Sequence, residues 1–300
     1  MNCIIPKAKV YSDGSHFIAV LPGYYKRKKK GKNKDYTIEV EGKRVDLKEK
    51  YTEVRKENSD KSKKDRNTTL VKEMAPLVGG IEEAEKIVEE LNIKYNRNFS
   101  VRMVRLFRCA RILYPTHFVT FTYDDKKHTP ESFRKTLSQT LYNFSSRHGW
   151  KYIGVWEEGV ENGRLHFHAI IRIPEGKMIG EFFEKRDYDT RNNKMQTTTQ
   201  NTYFLERFGR TDFVEINTFV LSDTIKYLVK YLSKTNEYAV FSRGIKPFIE
   251  ADILVEDILC FLDEENPGKV ILADDFLCIQ DGEVLGRACP EIIDKMRKTN

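Results

Sequence analysis

Arg164-Leu165-His166-Phe167-His168-Ala169-Ile170-Ile171 reads as a β-strand. Successive side chains on a strand point to opposite faces. Leu165, Phe167 and Ala169 therefore share a core-directed face, and His166 and His168 share the other, where they are expected to be exposed. Two neighbouring imidazoles on one face make a natural pair of metal ligands. The plainer alternative is a pair of surface histidines, although the chain has only six histidines in which to find such a pair. Just upstream, Tyr152 to Glu157 reads as a second strand. Glu158-Gly159-Val160-Glu161-Asn162-Gly163 joins the two as a hairpin loop with Asn-Gly turn chemistry. The hairpin brings Trp156-Glu157-Glu158-Gly159 beside the histidines, with Glu157 the preferred third ligand and Glu158 the alternative. A carboxylate with two histidines suits a hard or borderline divalent ion and leaves coordination positions for phosphate oxygens.

Outward from this hairpin, His117 to Tyr123 alternates as a strand, and Ser132 to His148 is helical with Phe133, Leu137, Leu141 and Phe144 inward. Residues 186–202 are polar and read as a loop, and Phe213 to Phe219 as another strand. Ser222 or Asp223 is the expected cap of a helix running to about Lys234. In that helix Tyr227, Lys230, Tyr231 and Lys234 share one face, while Ile225, Leu228, Val229 and Leu232 centre roughly opposite. The aliphatic stripe already supplies a core face, so the tyrosines and lysines are expected on a surface turned toward a polyanion.

Before the hairpin, Gly79-Gly80 punctuates the chain, Ile81 to Tyr95 reads as an amphipathic helix, and Ser100 as the cap of a second helix, Val101 to Leu113. That second helix carries a basic ridge, Arg102, Arg105, Arg108 and Arg111. Residues 48–67 are charged helix or loop, and His16–Val20 and Tyr36–Val40 are short strands. Towards the other end, Ile253 to Leu262 reads as a helix and Val270 to Leu277 contains a strand. The order of elements implies an α+β fold, an antiparallel β-sheet flanked by helices. Three successive segments are expected: a basic N-terminal extension, 1–75; a catalytic domain, 76–249; and an acidic C-terminal segment, 250–300.

Charge follows the same division. Residues 250–300 hold 13 acidic and 5 basic side chains, a net of −8, so that the total of +7 leaves +15 on residues 1–249. A basic body of this kind suits a nucleic-acid partner. The five cysteines are scattered and form no Cys-x-x-Cys, which excludes a disulfide framework or zinc knuckle and points to a reducing cytoplasm. No signal peptide and no membrane-spanning run is expected.

Three motifs in this order resemble the HUH endonucleases, and among them the replication initiators of small single-stranded-DNA phages (microviruses) and related phage and plasmid initiators. Phe118-Val119-Thr120-Phe121-Thr122-Tyr123 is similar to that group's Phe-Leu-Thr-Leu-Thr-Tyr. Trp156-Glu157-Glu158-Gly159 stands where the group has Gly-Glu-Tyr-Gly, and Arg164-Leu165-His166-Phe167-His168 where it has Arg-Pro-His-Tyr-His. Tyr227, Lys230, Tyr231 and Lys234 match its Tyr-x-x-Lys/Arg-Tyr-x-x-Lys helix. The likeness covers about residues 100–235, and the Trp156 departure leaves both carboxylates in play.

The resemblance implies a Rep-type fold and rolling-circle replication initiation in the cytoplasm of a bacterial host. Mg²⁺ or Mn²⁺ would be held by His166, His168 and Glu157. Tyr227 or Tyr231 would attack single-stranded DNA at a replication origin, with Lys230 and Lys234 assisting, to leave a 5′-phosphotyrosine. No Gly-x-x-x-x-Gly-Lys-Ser/Thr occurs, so a host helicase would act beside a host polymerase. The same chemistry serves transposases and relaxases. A non-catalytic DNA-binding protein would explain the charge while leaving the histidines and tyrosines without a role.

Seven Lys and Arg lie between Lys26 and Lys34, and they generate the first prediction. Neutralising them is expected to weaken DNA binding about equally across sequences and to flatten its dependence on salt. An unchanged slope of log affinity against log salt would make the segment a solvated connector.

Overall fold

The alternation at Leu165–Arg172 becomes a strand buried on both faces from His168 to Ile171, because helices cover both sides of its sheet. The chain is described from a computed structural model over residues 3–24, 34–159, 163–189, 193–217, 221–235, 238–262 and 267–296, without the side chains of 189 and 233–235. Most of the basic run Lys26–Lys34 falls outside them, Lys34 excepted. In chain order the elements are β1 Ile4–Ser12, β2 Phe17–Val20, β3 Thr37–Val40, β4 Lys43–Asp46, α1 Leu47–Glu57, α2 Lys63–Val78 and α3 Ile81–Leu113. There follow β5 His117–Thr122, α4 Pro130–His148, β6 Lys151–Glu158, β7 Leu165–Arg172, β8 Phe182–Asp189, β9 Lys194–Asn201, α5 Thr202–Arg207, β10 Thr211–Glu215 and α6 Leu221–Thr235. The last are β11 Val240–Phe241, β12 Ile249–Leu254, β13 Ile258–Phe261, β14 Lys269–Leu272, β15 Leu277–Gln280, β16 Glu283–Arg287 and α7 Pro290–Lys295. The fold is α+β, with antiparallel sheets and flanking helices.

Contacts divide the chain into two units, one made of 1–26 with 105–300, the other of 27–104. This grouping differs from three successive segments, because the pairing of β1 with β12 draws residues from both ends into one sheet. Such a long-range pairing has no signature in local composition.

The larger unit holds a five-stranded antiparallel sheet in the order β10-β5-β7-β6-β11. One face of it carries Val119, Phe121, Trp156, Phe167 and Phe213, packed under Phe133, Leu137 and Phe144 of α4 and Phe204 of α5. Thr129 caps α4 through a capping box with Ser132, which places the helix start at Pro130, just ahead of Ser132. On the other face α6 lies against β6 and β7 and buries Ile225, Leu228 and Leu232. The same unit holds a seven-stranded sheet, β13-β14-β2-β1-β12-β15-β16, whose core includes Val10, Ala19, Ile253, Val270 and Phe276 with Ile112 of α3 and Ile293 of α7.

The smaller unit is built from the β3–β4 hairpin, α1, α2 and the first part of α3. The hairpin turns at Glu41-Gly42, both at positive φ, as a two-residue loop of this kind requires. Leu47, Tyr51, Val54, Leu70, Met74 and Val88 form its core.

Several expectations are corrected. Residues 81–113 are one continuous helix, so Ser100 is not a cap. No Gly or Pro interrupts residues 95–101, and the mild propensity cost of Asn and Ser does not stop a helix. Residues 186–202, read as a loop, form most of the β8–β9 hairpin, which is hidden from pattern reading because it is polar on both faces. Ile253 to Leu262 is not a helix but the end of β12, a short turn and β13. A short apolar run is ambiguous in period, and pairing with β1 and β14 decides it. Ser222 and Asp223 lie within the first turn of α6, not before it. The basic ridge of α3 is largely used inside the fold. Arg105 lies over the Phe241 ring, Arg108 over Tyr11, and Arg111 donates to Ser222 Oγ at 2.8 Å, tying α3 to the start of α6.

Gly209 joins α5 to β10 at φ +140°, beside the hydrogen bond from Asp124 N to Phe208 O at 2.8 Å. A Cβ there would lie 2.6 Å from the Asp124 backbone nitrogen. Gly209→Ala is expected to cost roughly 1–3 kcal/mol. The loss would appear in thermal unfolding as a Tm lower by about 2–10 °C, and an unchanged Tm would show that the turn relaxes freely.

Candidate active site

Register builds the site. In the antiparallel pairing of β5 with β7, Thr122 stands opposite His166 and Thr120 opposite His168. On the other side of β7, Glu157 of β6 stands opposite His166. All five side chains belong to the face opposite the aromatic core, the face that α6 approaches. Thr122 Oγ1 is 2.9 Å from His166 Nδ1, Thr120 Oγ1 is 3.1 Å from His168 Nδ1, and His168 Nε2 is 3.0 Å from Glu157 Oε2. Glu158, opposite Leu165, is exposed and stands off this face, so the fold brings Glu157 to the histidines.

The tyrosine helix closes over this cluster. The Tyr231 ring stacks on His168 with centroids 4.2 Å apart and planes 1° from parallel. Tyr227 meets His168 edge-on at 6.2 Å and Tyr231 edge-on at 4.8 Å, and it rests against Phe118 at 5.5 Å. Two expectations change here. His168 is only 6% exposed rather than open to solvent, because Tyr231 covers it and Phe118 lies nearly parallel to it at 6.2 Å. Tyr231 is 7% exposed while Tyr227 is 42% exposed, so the two do not share a solvent face. Helix geometry gives the reason: Tyr231 lies roughly 60° around the helix from buried Leu228, and Tyr227 roughly 100°. Lys230 is exposed and lines the cleft beside them. Lys234 lies on α6, but its side chain falls outside the described residues.

The cleft over these groups measures about 1260 Å³. Its walls add residues that motif reading left unassigned, among them Lys127, Arg164, Phe183, Arg210 and Asp212. Arg164 pairs with Asp125, and Lys127 Nζ donates to the carbonyls of Leu205 at 3.0 Å and Glu206 at 2.7 Å, at the end of α5. Thr120 and Thr122 were legible in principle, since alternation in Phe118–Tyr123 sets them on one face. Phe183 was not, because its hairpin reads as a loop. Burial, reinforced by His168 and Arg164 and opposed by Glu157, holds the His166 imidazole below its ordinary pKa. The neutral ring is the form with a lone pair to offer.

Among the described residues no three His, Cys, Asp or Glu side chains are already arranged as a metal-ligand set. Glu157 and His168 are bonded to each other, and the His166 ring is 6.1 Å from the His168 ring. The donor chemistry of the three, two imidazole nitrogens and a carboxylate, nonetheless fits a divalent cation with oxygen-rich remaining ligands.

Residues 116–236 match the family of replication-associated proteins of the ORF2 type. The matched span contains β5, β6, β7 and α6, and with them every residue of the cluster. No curated protein and no solved structure matches the chain. Among the described residues no helix is long and apolar enough to cross a membrane.

The contrast between the tyrosines can be measured as stability. Tyr231→Ala removes a buried ring and is expected to cost about 2–4 kcal/mol, whereas Tyr227→Ala should cost about 1 kcal/mol or less. Urea unfolding of both variants provides the check; equal losses would mean that α6 is turned differently on the sheet.

Proposed function

We propose that the chain initiates rolling-circle replication by nicking single-stranded DNA at an origin, with a tyrosine of α6 as nucleophile. The observation that carries this reading is the stack of Tyr231 on His168, with Tyr227 edge-on to both, inside a segment similar to replication-associated proteins. A tyrosine pair has no need of two histidines and a glutamate beneath it for packing alone.

His166, His168 and Glu157 would hold Mg²⁺ or Mn²⁺, which when bound draws charge from a phosphoryl oxygen in the cleft. Tyr227, the more exposed of the pair, meets an incoming strand first. Lys230 at the cleft wall steadies the phosphate or the phenolate, and Lys234 is assigned the same role from its place in the sequence. In the chemical step the phenol gives up its proton and its oxygen bonds to phosphorus. The bond from phosphorus to the 3′ oxygen breaks, and that oxygen takes up a proton. The products are a 5′-phosphotyrosine and a free 3′-OH, which a host polymerase extends while a host helicase opens the duplex. The phosphotyrosine keeps a diester bond, so a 3′-OH can attack it in turn and reseal a strand. A second tyrosine lets the protein cut again while still attached.

The test is incubation with single-stranded origin DNA and Mn²⁺, followed by a search for an SDS-resistant adduct and peptide mapping of the linked residue. The adduct is expected on Tyr227 in the larger part. Tyr227→Phe should reduce it more than Tyr231→Phe, and only the double variant should remove it. EDTA, His166→Ala and His168→Ala should each abolish it. Linkage to Tyr123, Tyr203 or Tyr238, or full nicking by the double histidine variant in EDTA, would overturn the reading.

A further inference from the structure

Each cleft histidine is gripped by a threonine on the neighbouring strand. Thr120 and Thr122 are the direct cross-strand partners of His168 and His166, and their hydroxyls lie 3.1 and 2.9 Å from the Nδ1 atoms. With Nδ1 engaged, Nε2 is the nitrogen left for the site. That of His168 meets Glu157 Oε2, and that of His166 lies 3.4 Å from where a Cβ on cleft-lining Gly159 would be. A hydroxyl both donates and accepts. When His168 Nε2 carries the proton and donates to Glu157, Nδ1 accepts from the Thr120 hydroxyl. When Nε2 offers its lone pair instead, the ring proton sits on Nδ1 and donates to the same Thr120 oxygen. One proton leaves Nε2, one arrives at Nδ1, and the ring charge is unchanged. A carbonyl at that position would admit only the second state.

We propose that Thr120 and Thr122 are positioning residues, holding His168 and His166 by Nδ1 in either tautomer and keeping Nε2 turned to the cleft. The inference deepens the metal-dependent nicking reading and rests on it only for metal affinity.

Nitrogen-detected NMR of the histidine rings in metal-free protein gives a readout independent of activity. Thr120→Val should move the Nδ1 resonance of His168 and leave His166 unmoved, Thr122→Val should do the reverse, and the serine variants should restore both. An amide spectrum otherwise unchanged shows that the fold survives. Titration with Mn²⁺ alone should then give an affinity about tenfold weaker or more for each valine variant, as for other groups that orient metal-bound histidines, with recovery in the serine variants. Unmoved Nδ1 resonances would overturn the proposal, as would moved resonances with unchanged Mn²⁺ affinity. If the wild-type protein binds no Mn²⁺, the metal reading fails, and the threonine grip stands or falls on the ring resonances.

Discussion

The antiparallel register of β5, β7 and β6 is the constraint on which the rest depends. Because side chains alternate with a period of two, sliding any of these strands by one residue would exchange the whole site for the whole core. The aromatic face prevents this. Trp156 and Phe167 pack with centroids 4.5 Å apart, and Phe167 lies across Gly154, where a Cβ would stand inside the ring. The histidines are thus held in place by what happens on the opposite side of their own strand. A glycine that looks like a weakness in a central strand is a seat for that phenylalanine.

The second element of the arrangement is α6. A helix that packs on a sheet must bury an aliphatic stripe, here Ile225, Leu228 and Leu232. The residue at the margin of that stripe then meets whatever the sheet presents. At Tyr231 it meets His168, and the result is an aromatic stack that is at once packing and a chemical contact. Tyr227 lies one turn earlier, farther round the helix and at the open cleft.

Much of this was legible from the residues alone. Alternation in Leu165–Ile171 and Phe118–Tyr123 carried the faces of two strands, and the spacing of Tyr227 and Tyr231 carried their adjacency. The burial of His168 was not legible, because it depends on how far α6 is rolled about its axis, which spacing constrains only within about a third of a turn. The β8–β9 hairpin escaped because Thr197, Thr198, Thr199 and Gln200 offer no apolar alternation, so its β-branched composition was the only cue. The continuity of α3 through Ser100 shows the limit of capping signals: a serine invites a helix start but does not impose one.

The seven-stranded sheet joins the two ends of the chain. The Lys7 backbone N–H donates to the Asp252 carboxylate at 2.8 Å across 245 positions of sequence, and β2 and β1 sit between β14 and β12. During synthesis β1 and β2 can pair with each other early, yet each keeps a bare outer edge until residues 249–272 have emerged. The five-stranded sheet uses only strands between 117 and 241 and needs no such wait. The tyrosine-bearing core is therefore assembled from contacts of shorter span, while the first-made strands remain open edges for most of translation. That interval is when edge-to-edge association with other nascent chains competes with correct closure.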